Sequence, residues 1–130
     1  MVQWSRSFRG RPDQVTHARR FVVSVLGARP VVDVAELVVS ELATNAIRHS
    51  WSGLLDGWFV VSIDLGQSDR VQVSVTDLGA EKRPEVVSAS QDSEFGRGLG
   101  LVECVAKEWG CEPTELGRRV WADLALDGVS

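Results

Sequence analysis

The stretch from Val34 to His49, VAELVVSELATNAIRH, sets the terms for any fold this chain can take. It has the length and apolar spacing of a buried helix, yet its apolar face carries acidic, amide and imidazole side chains. At about 100° per residue from Val34, Leu37 falls near ~300°, Val38 near ~40° and Leu42 near ~80°. Glu41, Asn45 and His49 fall near ~340°, ~20° and ~60° on the same wheel, among these apolar positions. A buried, unpaired carboxylate costs several kcal/mol, so such groups are paired, hydrogen-bonded or bound to a metal. Glu41 and Asn45 are one helical turn apart, which sets their functional groups side by side on one wall. Either the two satisfy one another, or they line a site.

The remaining elements follow from spacing. Trp4 to Phe8 alternates large and polar residues and predicts a short, edge-type strand. Pro12 and Asp13 mark a helix start. Val15, Ala18, Phe21, Val22, Val25 and Leu26 continue it, and Gly27 stops it. Pro30 lies in the connection to the Val34–His49 helix, with Asp33 as a cap or first-turn acid. Ser50 to Gly57 is turn-rich. Trp58 to Leu65 predicts a strand, Gly66 to Asp69 a turn, and Arg70 to Asp77 a cleanly alternating strand, together an antiparallel hairpin. Ala80 to Phe95 is polar and predicts a mobile segment. Gly96, Gly98 and Gly100 precede a helical pattern of Leu101, Val102, Val105, Ala106 and Trp109, closed by Gly110. Cys111 to Leu116 and Arg119 to Leu126 predict a final pair of strands, with Val120, Ala122 and Leu124 alternating in the last.

Composition narrows the function classes. A chain of 130 residues predicts one domain with a proper core. A net charge of −4 argues against a nucleic-acid binder. The chain has no run of roughly eighteen apolar residues and no signal-like apolar stretch at its start, so no membrane span and a cytoplasmic location are expected. Cys104 and Cys111 are too few for a disulfide scaffold or a zinc knuckle and read as reduced thiols. Five tryptophans beside no tyrosine are assigned to core and partner-facing packing.

Two further motifs stand beyond the first helix pair. Asp77-Leu78-Gly79 places a carboxylate at a strand end, with a glycine that permits close backbone approach. The glycine run before a helix presents free N–H groups and the positive end of the dipole, which suits phosphate. Each alone has a plainer explanation: a turn acid, or a tight helix start without a ligand. The glycines match neither the dinucleotide fingerprint nor the P-loop. Their order along the chain carries more weight than any one of them.

In that order the chain resembles a known superfamily. ELATN (Glu41 to Asn45), DLG (Asp77 to Gly79) and GRGLGL (Gly96 to Leu101) are similar to the N, G1 and G2 boxes of the histidine-kinase-like (GHKL) ATPases. Phrases such as VSELATNAIRH, GRGLGLV, EWG and VWADL resemble one branch more closely, the compact bacterial anti-sigma factors with serine-protein-kinase activity of actinomycete type. The resemblance spans nearly the whole chain. It implies a Bergerat-type α/β two-layer sandwich, with a mixed, mostly antiparallel sheet covered on one face by three helices. It implies ATP and Mg²⁺, with Asn45 holding the metal through its side-chain oxygen and Glu41 as the general base. Asp77 would accept from the exocyclic amine of adenine, selecting ATP over GTP, and Gly79 would admit the base. Gly96, Arg97, Gly98, Leu99 and Gly100 would wrap the phosphates, and Ala80 to Phe95 would form a short lid.

The resemblance also implies partners: a sigma factor, a STAS-domain anti-sigma-factor antagonist phosphorylated on serine, and a second copy of the chain in a homodimer. Trp4, Trp51 or Trp58 would contribute to such surfaces. No direct contact with nucleic acid or membrane is expected. Two positions depart from the pattern. Glu81 stands where histidine kinases have a further glycine. Arg119 in GRRVW stands where many relatives have an adenine-binding Thr, and a charged side chain there would fill or rim the base pocket. His49 is assigned no chemistry. The departure at Arg119 supports the alternative of a non-catalytic module that keeps the fold and binds a partner.

Overall fold

A computed structural model describes residues 2–49, 57–66, 69–78, 93–115 and 117–128; side chains are described for these except at 49 and 93–98. The described elements run β1 (Gln3–Arg9), α1 (Gln14–Leu26), α2 (Val32–His49), β2 (Trp58–Asp64), β3 (Arg70–Asp77), α3 (Ser93–Val105), β4 (Glu108–Pro113) and β5 (Arg118–Ala125). The strands form one sheet in the order β1-β2-β3-β5-β4. Every pairing among them is antiparallel, which simplifies the mixed sheet expected from sequence.

Period-two burial assigns the two faces of the sheet. Phe59, Val61 and Ile63 of β2, Val71, Val73 and Val75 of β3, and Val120, Ala122 and Leu124 of β5 are buried on one side. The helices cover that side: Ala18, Val22 and Leu26 of α1 and Val38, Val39, Leu42 and Ala43 of α2 complete the core. Phe8 joins them from β1, stacked on Phe59 at 5.6 Å and edge-on to Phe21 at 6.1 Å. The opposite face of the sheet carries polar ties, such as Ser5 to Ser62 at 2.8 Å and Gln72 to Asp123 at 3.0 Å.

The helix ends follow local chemistry. Asp13 occupies the cap position of α1 and ion-pairs with Arg11 at 3.2 Å, while Pro12 lies just outside the helix. Gly27 closes α1 with φ of 61°, donating its N–H to the Val23 carbonyl at 2.8 Å. A residue with a Cβ would be strained in that conformation. α2 begins two residues before the expected Val34, with Asp33 inside its first turn.

Three expectations need correction. Leu37 does not mark the core side of α2: it is 44% exposed, and the buried arc runs through Val31, Ala35, Val38, Val39, Leu42 and Ala46. Gly96, Gly98 and Gly100 do not precede α3 but lie inside it, because the helix starts at Ser93. The same helix ends at Val105, and Trp109 and Gly110 belong to β4. Their helical spacing is overridden by the sheet: Lys107 donates its N–H to the Asp123 carbonyl at 2.8 Å, and Trp109 pairs with Ala122. Gly110 is needed because the Trp121 indole lies over it; a Cβ there would come within 2.9 Å of that ring.

Candidate functional site

α2 packs against both β3 and α3, so the three motifs singled out in the sequence lie on adjoining elements. Asn45 sits at the edge of the buried arc of α2, only 7% exposed. Glu41, one turn earlier, is half-buried at the rim. Its partial exposure removes most of the desolvation cost that the helical wheel assigned to it. Asn45 retains that cost: its Nδ2 is buried with no hydrogen-bond partner among the described residues. A buried amide left unmatched costs roughly 1–3 kcal/mol, so Asn45 does not simply satisfy its neighbours. A half-turn of the terminal amide would present Oδ1 at the same place, an oxygen suited to a hard cation.

Asp77 ends β3 and faces Arg118, the first residue of β5, across the sheet. Arg118 Nε donates to Asp77 Oδ2 at 3.4 Å, and the two side chains are 7% and 3% exposed. This is a buried ion pair at the position where the sequence placed the base-reading carboxylate. The residue expected to intrude there was Arg119, and that assignment is corrected. Arg119 points to the other face of the sheet, where it bonds Glu112 at 2.8 Å and also Gln72. The parity was present in the sequence. Val120, Ala122 and Leu124 face the helices, so residue 118 shares their side and residue 119 does not.

The glycine-rich segment offers less free backbone than expected. In a helix starting at Ser93, only the first four N–H groups lack intrahelical carbonyls. Gly96 falls within that turn, whereas Arg97, Gly98, Leu99 and Gly100 follow it. The Leu99 side chain is buried in the core cluster rather than turned to a ligand. Wrapping a chain of phosphates would require the first turns to unwind, and a glycine in a helix interior lowers that cost by about 1 kcal/mol relative to alanine. Gly79, Glu81, Trp51 and the lid expected from Ala80 onward lie outside the described residues up to Asp92, as do the side chains of Arg97 and His49. Ser93 to Phe95, the end of that lid, form the start of α3.

Cys111, opposite Val120 on β4, borders the same corner. Although the residue is exposed at the sheet edge, protein atoms crowd its thiol, and this desolvation pushes the thiol pKa up. The Arg118 charge works against the shift, and Asp77 and Glu112 work with it.

A sequence model of the histidine kinase-like ATPase domain matches residues 8–123. The chain belongs to the histidine kinase-like ATPase family. No curated protein matches the sequence. Membership brings ATP and Mg²⁺ as the family's general ligands, and the two ends of such a ligand fit this histidine kinase-like domain unequally. The metal end fits: Asn45 Nδ2 is buried without a hydrogen-bond partner among the described residues, and turning the amide over would put Oδ1 there. Among the described residues no three His, Cys, Asp or Glu side chains gather as a metal cage. The base end does not fit as it stands, because the Arg118 guanidinium is already on the Asp77 carboxylate. No helix among the described residues is long and apolar enough to cross a membrane.

Proposed function

We propose that this histidine kinase-like domain is a cytoplasmic anti-sigma regulatory factor. In this reading it binds ATP·Mg²⁺ and phosphorylates a serine of a STAS-type anti-sigma-factor antagonist. It would act as a homodimer and sequester a sigma factor. The observation that supports it best is the buried, unmatched Asn45 amide, set one turn from Glu41 on α2 in a chain of this family. Asn45 would hold Mg²⁺, which when bound neutralises charge on the phosphates. Glu41, half-buried one turn from Asn45, would take the proton of the attacking serine hydroxyl. The phosphoryl group passes from ATP to the serine oxygen, ADP leaves, and the proton resides on Glu41. Trp4, exposed on β1, is available to a protein partner.

A second reading rests on a different observation. The Asp77–Arg118 pair closes the base end, which favours a partner-binding module that keeps the fold without phosphotransfer.

Titration calorimetry with ATP and Mg²⁺ separates the two. The kinase reading expects Mg²⁺-dependent heat that Asn45→Ala abolishes, and label transfer to a STAS partner that Glu41→Gln stops while binding persists. Absence of heat up to millimolar ATP leaves only the binding module. Equal transfer by Glu41→Gln would mean that the proton goes elsewhere.

A further inference from the structure

We infer that Arg118 is a specificity-determining residue of the base pocket, an internal competitor for Asp77 that weakens adenine binding and relaxes the choice between adenine and guanine. The inference rests on the reading that the pocket takes a purine nucleotide. A lone buried carboxylate at the end of β3 is purely an acceptor. It matches the exocyclic amine of adenine and repels the carbonyl that guanine carries at the equivalent position. In this chain the carboxylate is not alone. Arg118 donates to it at 3.4 Å from the directly opposed residue of β5, and both side chains are almost fully buried.

Two consequences follow from having a donor beside the acceptor. First, an adenine amine gains Asp77 only by displacing or sharing it with a cationic donor, and a carboxylate is held more strongly by a guanidinium, which brings a full opposite charge, than by a neutral amine. Second, a guanidinium at this place accommodates a carbonyl oxygen, since it has several N–H donors in a planar fork and no acceptor. A guanine carbonyl would meet Arg118 while its ring N–H and amine meet Asp77. The penalty that normally excludes guanine is thereby reduced, and the adenine contact is weakened at the same time. Arg119 cannot substitute in this role, because its side chain lies on the opposite face with Glu112 and Gln72.

The test compares ATP and GTP, each with Mg²⁺, on the wild-type protein, Arg118→Thr and Arg118→Lys by titration calorimetry. Nucleotide-induced shifts in melting temperature give a second readout that does not depend on transfer activity. Arg118→Thr should bind ATP at least ~10-fold more tightly than wild type, about 1.4 kcal/mol, with no comparable gain for GTP. Its preference for ATP over GTP should rise by the same factor. Arg118→Lys keeps the charge beside Asp77 but loses the planar fork that would meet a guanine carbonyl, so its preference for ATP over GTP should rise severalfold, and an unchanged ratio overturns the inference where the threonine variant does not fold. If nucleotides bind and Arg118→Thr leaves the ATP:GTP ratio within twofold of wild type, the inference is wrong while the nucleotide reading stands. If neither nucleotide binds any of the three proteins at millimolar concentration, both fall.

Discussion

Removing one member of the Asp77–Arg118 pair should destabilise the fold far more than removing both. The atoms are 3.4 Å apart and the side chains are 7% and 3% exposed, so each charge supplies part of what water no longer gives the other. At an effective dielectric of about 20, unit charges at that separation attract by about 5 kcal/mol, and most of this offsets desolvation. Arg118→Met takes the cation from the buried carboxylate and Asp77→Leu takes the anion from the buried guanidinium, at an expected cost of about 3–5 kcal/mol each. The double variant, with two apolar side chains in the same space, should lie within ~1 kcal/mol of wild type or above it. The implied coupling is several kcal/mol, well beyond the ~0.5 kcal/mol error of additivity for independent sites. Urea unfolding followed by tryptophan fluorescence and far-ultraviolet circular dichroism measures all four proteins, and equal slopes confirm two-state comparison. Additive single effects, or single costs below about 1 kcal/mol, would refute the claim that these charges are buried on one another.

Other expectations test separate parts of the fold. Gly110→Ala should cost about 1–3 kcal/mol by forcing a Cβ into the Trp121 indole, and Trp121→Ala in the same chain should relieve part of that loss in a denaturant titration. Gly100→Ala meets open space within 4 Å, so it should stabilise α3 by up to about 1 kcal/mol; if nucleotide binding requires unwinding there, calorimetry should show weaker ATP binding. The Cys111 thiol, with its pKa raised mainly by desolvation, should react with a disulfide reagent more slowly than an ordinary exposed thiol near neutral pH and accelerate at higher pH. Arg118→Met should shift that profile further upward, since the cation it removes was lowering the pKa. Because the unfolded thiol loses its proton first, this group's contribution to stability is full below the ordinary thiol pKa. It declines as pH rises through the folded value, which melting curves across that range would register.

The parts of this molecule that sequence made legible are those where one period governs a whole element. β3 was read correctly from Arg70 to Asp77 because its inward valines alternate without interruption. α1 was legible because Gly27 terminates it by backbone geometry that few residues share. The boundary between α3 and β4 was not, since Trp109 and Gly110 continue a helical spacing and only pairing with β5 draws them into the sheet. On α2, Leu37 has the spacing of an inward residue but lies outside the buried arc, and Glu41 accordingly sits at the rim rather than in the interior. The Asp77–Arg118 contact joins residues far apart in the chain, and no local pattern reports it. Strand parity nonetheless puts residue 118, not the expected 119, on the helix-facing side.

The packing of β5 is carried by Val120, Ala122 and Leu124, while residue 118 stands at the open end of the strand. Chemistry at that end is therefore separate from the apolar packing of the strand, although the ion pair there contributes to stability. A lineage built on this scaffold would trade one binding preference for another by a single amino-acid replacement, together with repair of the stability it costs, with no rearrangement of the hydrophobic interior. Descendants sharing an almost identical shape would then differ in what they bind, and overall likeness among them would be a poor guide to their ligands.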